Sequence, residues 1–306
     1  MFPYIALIVA QLMISVKMYA MKICGRRAGG AFNSVCINAM RALICLAVSV
    51  VVWLLSGGAV TNLLGHLIIL LAGIGTAVNL FTWILASRLV SLTLLEIVCM
   101  MGSMLVPMVL APYLFGGEQV ALHQWLGGFL IIVAAILFVN KEKSKKEGTL
   151  LQKIAIVVGC AASVTLATIS KKLYSVHIES KGLGNAEYYT FMCFVVVMIM
   201  FAVLFAVFYS KEAKTLSSEG SDAARVQLPY KKVWMLVCIA AIALYVCELF
   251  AVYANRLPAA IYLPLSKGLN IFCTFLLDTV VFKDKVSVKK ICGLVLVLSA
   301  IVIVNL

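Results

Sequence analysis

Ile14-Ser15-Val16-Lys17-Met18-Tyr19 returns near mid-chain as Ile169-Ser170-Lys171-Lys172-Leu173-Tyr174. Leu80-Phe81 followed by Ala86-Ser87-Arg88-Leu89 returns as Leu249-Phe250 followed by Ala254-Asn255-Arg256-Leu257. The stretch from Glu118 through Val120 to Asn140 returns from Asp284 through Val286 to Asn305. Each copy holds about five apolar segments of bilayer length, since a span needs about 20 apolar residues. Five is odd, so the second copy enters the membrane from the side opposite to the first. The expected fold class is an all-α polytopic membrane protein. Its ten transmembrane helices form two inverted five-helix repeats, residues 1–145 and 146–306. Paired inverted repeats usually build secondary transporters, with the substrate site where the repeats meet.

Composition points the same way. Hydrophobic residues make up 64% of the chain and charged residues 12%, about half the charged share of an average soluble domain. A net charge of +13 suggests nucleic acid in a soluble chain. Here the basic residues fall mostly in short loops between apolar segments, so the lipid bilayer is the expected partner and nucleic acid is not. The ten cysteines are scattered without a CxxC pair and read as small packing residues. His66, His123 and His177 lie near segment ends, in no metal-binding spacing. No cofactor is expected.

The spans are expected at 3–22, 33–56, 63–86, 89–114, 122–140, 154–174, 187–209, 233–254, 257–280 and 288–305. Residues 141–153 join the repeats, and 209–232 read as a polar, mobile loop. Pro107, Pro112 and Pro264 fall inside spans. Gly73, Gly75 and Ala77, with Gly127-Gly128, offer small surfaces for close helix approach. Of the 25 Lys and Arg residues, eighteen fall in loops on one side and four, Lys171, Lys172, Lys181 and Arg256, on the other. The richer side is expected to be cytoplasmic, which puts both termini outside. The expected location is the bacterial plasma membrane, crossed many times.

Ionisable residues at mid-depth are costly and point to function by default. Arg41 lies roughly 13 Å into its helix, Glu96 roughly 11 Å and Lys267 roughly 15 Å, at 1.5 Å per residue. Glu96 and Lys267 sit on repeat-equivalent helices, the fourth and ninth, and are expected to face one central cavity. Ser266 adjoins Lys267 and Asn270 lies three residues on, near the same helical face. An ammonium, a hydroxyl and an amide together can hold a carboxylate or phosphate. The rival reading makes Lys267 and Glu96 a structural ion pair, with Asn38 and Glu96 satisfying Arg41. Asn79, Trp83 and Tyr262 complete the candidate lining. Lys17 and Lys172 are read as side chains snorkelling to the interface. Glu248 is read as an outer gate or a solvated rim. Asp278 is read as a surface partner of Lys283 and Lys285. Glu118 and Asp284 are read as acids at helix N-termini.

A family resemblance adds to this. Pro107-Met108-Val109-Leu110-Ala111-Pro112-Tyr113-Leu114-Phe115-Gly116-Gly117-Glu118, then Trp125-Leu126-Gly127-Gly128, resembles the drug/metabolite transporter superfamily in its ten-helix EamA-type members. Val281-Phe282-Lys283-Asp284-Lys285-Val286-Ser287, followed by Gly293, repeats that pattern in the second copy. Arg256-Leu257-Pro258-Ala259-Ala260 is similar to the family's turn from eighth to ninth helix. The resemblance implies alternating-access transport, usually outward, of a small metabolite. Many such relatives keep both termini in the cytoplasm, and the charge count here argues the reverse.

The expected function is therefore secondary transport of a small-molecule substrate, anionic or zwitterionic. The central site lies near Glu96 and Lys267, and Glu96 is the candidate carrier of a coupling proton. The alternatives are a flippase for a lipid-linked or amphipathic substrate and a non-transporting scaffold. An enzyme is not expected: no GxSxG, no HExxH and no phosphate-cradling glycine loop with Lys occurs.

Overall fold

Lipid supplies no partners for backbone N–H and C=O groups, so a chain this apolar must satisfy them within helices. The computed structural model describes residues 1–27, 30–58, 60–89, 92–137, 149–219, 231–280 and 288–306. For helical residues 22, 25–27, 30–33, 84–89, 92–94, 96, 97, 150, 211–219, 231–233, 274, 277, 278, 280 and 290, it describes the backbone alone. Among the described residues there are ten α-helices. They are α1 (Phe2–Arg27), α2 (Gly30–Leu55), α3 (Leu63–Leu89), α4 (Leu92–Leu114), α5 (Leu122–Leu137), α6 (Leu150–His177), α7 (Ala186–Glu219), α8 (Lys231–Ala254), α9 (Ala259–Val280) and α10 (Val288–Val304). A short 3-10 turn, Glu179–Lys181, joins α6 to α7.

Six of these helices, α1, α2, α3, α6, α7 and α8, carry stretches long and apolar enough to cross a membrane. Shorter apolar stretches occupy α4, α5 and α10. The burial pattern suits lipid. Leu55, Leu122, Phe129, Ile199, Val203 and Val302 face outward, while Asn38, Arg41, Ser103, Lys172 and Asn255 are buried. A soluble domain arranges its side chains the other way.

Two helices run further than their sequence suggests. α6 begins at Leu150 because Thr149 builds a capping box: Gln152 N donates to Thr149 Oγ1, and Thr149 N donates to Gln152 Oε1. It then continues through Lys171 and Lys172 to His177. α7 continues to Glu219, so the first eleven residues expected as mobile loop are helical. Residues 220–230 and most of 141–153 lie outside the described residues.

The largest interfaces pair α1 with α8, α3 with α6, α2 with α7 and α5 with α10; α4 packs on α6 and α1 on α9. Exchanging α1–α5 for α6–α10 leaves this set of pairings unchanged. α4 also meets α9, as expected for the pair read as repeat-equivalent. Small residues set the closest approaches. A Cβ on Gly75 would stand 3.0 Å from the Ser163 carbonyl oxygen and the Ala167 nitrogen of α6. A Cβ on Gly127 would stand 2.3 Å from Val304 Cγ2 of α10.

Candidate functional site

The polar centre is built on α6 and α8. Lys171 Nζ donates to Glu248 Oε2 at 2.5 Å, and these side chains are 13% and 17% exposed. Glu248 is thus not a solvated rim. α6 extends past Lys171 to His177, which carries the lysine into the bundle against α8.

Further cations surround the pair. Lys17 of α1 lies within electrostatic reach of Glu248, of neighbouring Cys247 and of Cys45. Lys267 of α9 lies within reach of Lys171, Lys17 and Cys99. Arg41 of α2 lies within reach of Cys45 and Cys247. Neither Lys17 nor Lys267 makes an ion pair with a described residue. Arg41 is 2% exposed. Its Nη1 donates to Asn38 Oδ1 at 2.8 Å, and Asn38 is itself fixed by donating to the Leu80 carbonyl at 3.2 Å. Among the described residues, Arg41 Nε and Nη2 have no hydrogen-bond partner; neither do Tyr189 Oη, Tyr245 Oη and Asn270 Oδ1. Leaving a buried polar atom unmet costs about 1–3 kcal/mol, more for a charged group. So many unmet groups around one cluster of cations mark a place suited to a polar ligand.

The structure treats the expected lining unevenly. Asn270 presents an unmet carbonyl oxygen, as a ligand-binding amide would. Ser266 is buried and spends its proton on the Leu263 carbonyl of its own helix. Asn79 accepts from Cys160 Sγ at 3.6 Å, and Trp83 packs beside Cys99 and Cys160. These residues reach the centre through Cys99, which also lies near Lys267. Tyr262 packs in the apolar cluster of α1, α4 and α9 and also lies within electrostatic reach of Lys171 and Glu248, at the polar centre. The side chain of Glu96 lies outside the described residues, and with it the proposed pairing to Lys267 and the coupling proton. The side chains of Asp278, Lys283, Asp284 and Lys285 lie outside them too.

One face of the bundle is closed by ion pairs. Lys172 is 1% exposed, so it does not snorkel. Its Nζ lies 3.0 Å from Glu118 Oε1 and donates to the carbonyls of Asn255, at 3.1 Å, and Leu257, at 2.6 Å. All three ammonium protons are then used. Glu118 Oε2 accepts from Ala259 N at 2.5 Å, so this acid caps α9 in the other half rather than the helix that follows it. Arg256 donates to Glu179 at 2.7 Å and lies 5.0 Å from the Tyr253 ring centroid. The Glu179 carboxylate holds this guanidinium above its usual basicity. Tyr253 also donates to Glu187 and packs edge-on against Phe2. Beneath these contacts lies a cleft of about 490 Å³, bounded by Glu118, Lys172, Ser175, Glu179 and Arg256.

Lys171, Lys17 and Glu248 were the residues that sequence reading undervalued. One signal was available: in the Leu80-Phe81 and Leu249-Phe250 alignment, Glu248 stands opposite Asn79, itself a candidate.

No protein-family model matches the chain, and no curated protein matches it. Among 26 matching solved chains, one crystal structure superposes on 98% of this chain and 98% of its own, with TM-score 0.70 and 15% identity. At that identity the likeness shows a shared fold and nothing about activity.

Proposed function

We propose that this chain is a secondary transporter of a small metabolite, of the drug/metabolite transporter type, working by alternating access between two inverted five-helix repeats. One observation carries the reading. The main helix interfaces are unchanged when the two halves are exchanged, and uncompensated cations from both halves converge where those halves meet. Two halves related in this way can rock about a central site.

The inverted arrangement has further support. The start of α1, the α4–α5 turn, the α6–α7 turn and the α8–α9 turn contact one another on one face, as an odd number of spans per half requires. With Lys172 buried and Lys171 paired to Glu248, only Lys181 and Arg256 remain of the four basic residues counted on this face. That favours an extracytoplasmic face with a closed latch, in a bacterial plasma membrane. Export is the expected direction, and transport rather than catalysis the expected activity.

The test is reconstitution into proteoliposomes with a panel of labelled amino acids, nucleosides and organic anions. Saturable movement of one class, lost in Arg41→Gln while the protein remains folded, is the expected result. Failure of every class, with no ligand-dependent change in labelling of cysteines placed on either face, overturns the reading.

A further inference from the structure

We propose that Cys99 of α4 and Cys160 of α6 are a redox-modified pair, oxidised by a lipid-soluble quinone to a disulfide that ties the first half of the chain to the second. The effect of that tie on transport rests on the transporter reading; its chemistry does not.

Contact between the thiols gives the pair. Cys99 Sγ donates to Cys160 Sγ at 3.5 Å, and Cys160 Sγ in turn donates to Asn79 Oδ1 at 3.6 Å. A disulfide holds its sulfurs about 2 Å apart. These two need to close by about 1.5 Å to bond. The spacing of the helices is set three residues further along α4. A Cβ on Gly102 would stand 2.8 Å from Thr165 Oγ1 and 3.5 Å from the Ala161 carbonyl oxygen. The absent side chain lets α4 lie close against α6, and that approach brings the thiols together.

The surroundings give the class of oxidant. Both cysteines are buried, in an apolar cluster with Leu95, Trp83, Ile156 and Val164. Entry of a charged reagent such as glutathione into such a setting is costly. Along the outside of the same helix pair runs an apolar groove of about 500 Å³, whose lining includes the exposed Val106 and Val158. Val98 and Ala161, also in that lining, are the chain neighbours of Cys99 and Cys160. The wall between lipid and thiols is thin here, which suits an oxidant dissolved in the bilayer.

The step balances. Both S–H bonds break and one S–S bond forms. Two electrons and two protons pass to the quinone, which leaves as the quinol. The product joins residues 61 positions apart, and a cross-link of that span restricts the unfolded chain.

The experiment uses the full chain in nanodiscs, incubated with a short-chain ubiquinone or with its quinol. Ubiquinone is fully substituted, so it oxidises thiols without alkylating them. The protein is then denatured, alkylated with N-ethylmaleimide and digested without reductant for mass spectrometry. Ubiquinone is expected to join the peptides holding Cys99 and Cys160, with loss of two hydrogen atoms, and to leave the other eight cysteines alkylated. The link should be absent after quinol, in Cys99→Ser and in Cys160→Ser. Melting temperature should rise by several degrees on oxidation of the wild type and stay level in either serine variant. Gly102→Val, which holds the helices apart, should lower the linked fraction severalfold; Gly102→Ala covers the case in which the valine variant does not fold. Both thiols alkylated after ubiquinone treatment of folded protein, or a disulfide formed as readily between other cysteines, overturns the inference. A Cys99–Cys160 disulfide in a chain that moves none of the labelled compounds rejects the transporter reading and leaves the pair standing. Movement by a chain in which that disulfide does not form does the reverse.

Discussion

Lys172 Nζ and Glu118 Oε1 stand 3.0 Å apart, while the second oxygen of that carboxylate takes the Ala259 amide. One acid on the α4–α5 turn thereby holds both a lysine of α6 and the first residue of α9. Glu118→Ala leaves a buried ammonium uncompensated and uncaps α9. Breaking one side of such a pair typically costs 3–5 kcal/mol. The purified variant should therefore melt well below the wild type. Glu118→Leu with Lys172→Met should melt closer to wild type than either single change. An equal loss in single and double variants argues against the pair.

Lys171 and Glu248 give a second cycle, deeper in the bundle. Lys171→Met strands a carboxylate and Glu248→Gln strands an ammonium, so each alone should lower yield and melting temperature. Combining them should restore much of both, because neither charge is left alone. Additive losses show that these two side chains do not act as a pair.

Close helix approach makes a prediction about size. Gly75→Val would press against the backbone of α6, which cannot turn aside. Gly127→Ala would add a single methyl against Val304 Cγ2 and the Ala300 carbonyl oxygen. Overpacking of this kind costs about 1–3 kcal/mol, and Gly75→Val should lie at the upper end with Gly127→Ala at the lower. Melting temperatures read in one detergent decide the order.

Topology follows from the charges that remain in loops. A reporter fused after Leu306 should behave as extracytoplasmic, and one inserted in 141–153 as cytoplasmic. The reverse pattern turns the whole molecule over while leaving its internal pairings intact.

Ten helices were expected and ten are found among the described residues, but apolar length marks only six of them as long enough to cross a membrane. Arg41 was singled out by its depth, and the structure buries it with Nη1 on Asn38 Oδ1, the partner its rival reading named. The Lys171–Glu248 pair was not readable: its members lie 77 residues apart on different helices, and nothing local to either marks the other. Lys172 was misread for a local reason. Its distance from the end of the expected span suggested reach to the interface, but α6 runs on to His177 and Lys172 is held inside by Glu118 and the carbonyls of Asn255 and Leu257. Ser266 was misread because a serine inside a helix can return its proton to its own backbone, which no spacing rule reveals.

Each of α1 to α5 makes its broadest contact with a helix of the second half. During synthesis at about 5–20 residues per second, α1 waits on the order of tens of seconds for α8. Through that interval Lys17 and Arg41 stand in the bilayer without the surroundings they will later share. The first half is thus an unfinished surface rather than a small domain. Halves produced from separate genes should be degraded when made alone and persist when made together.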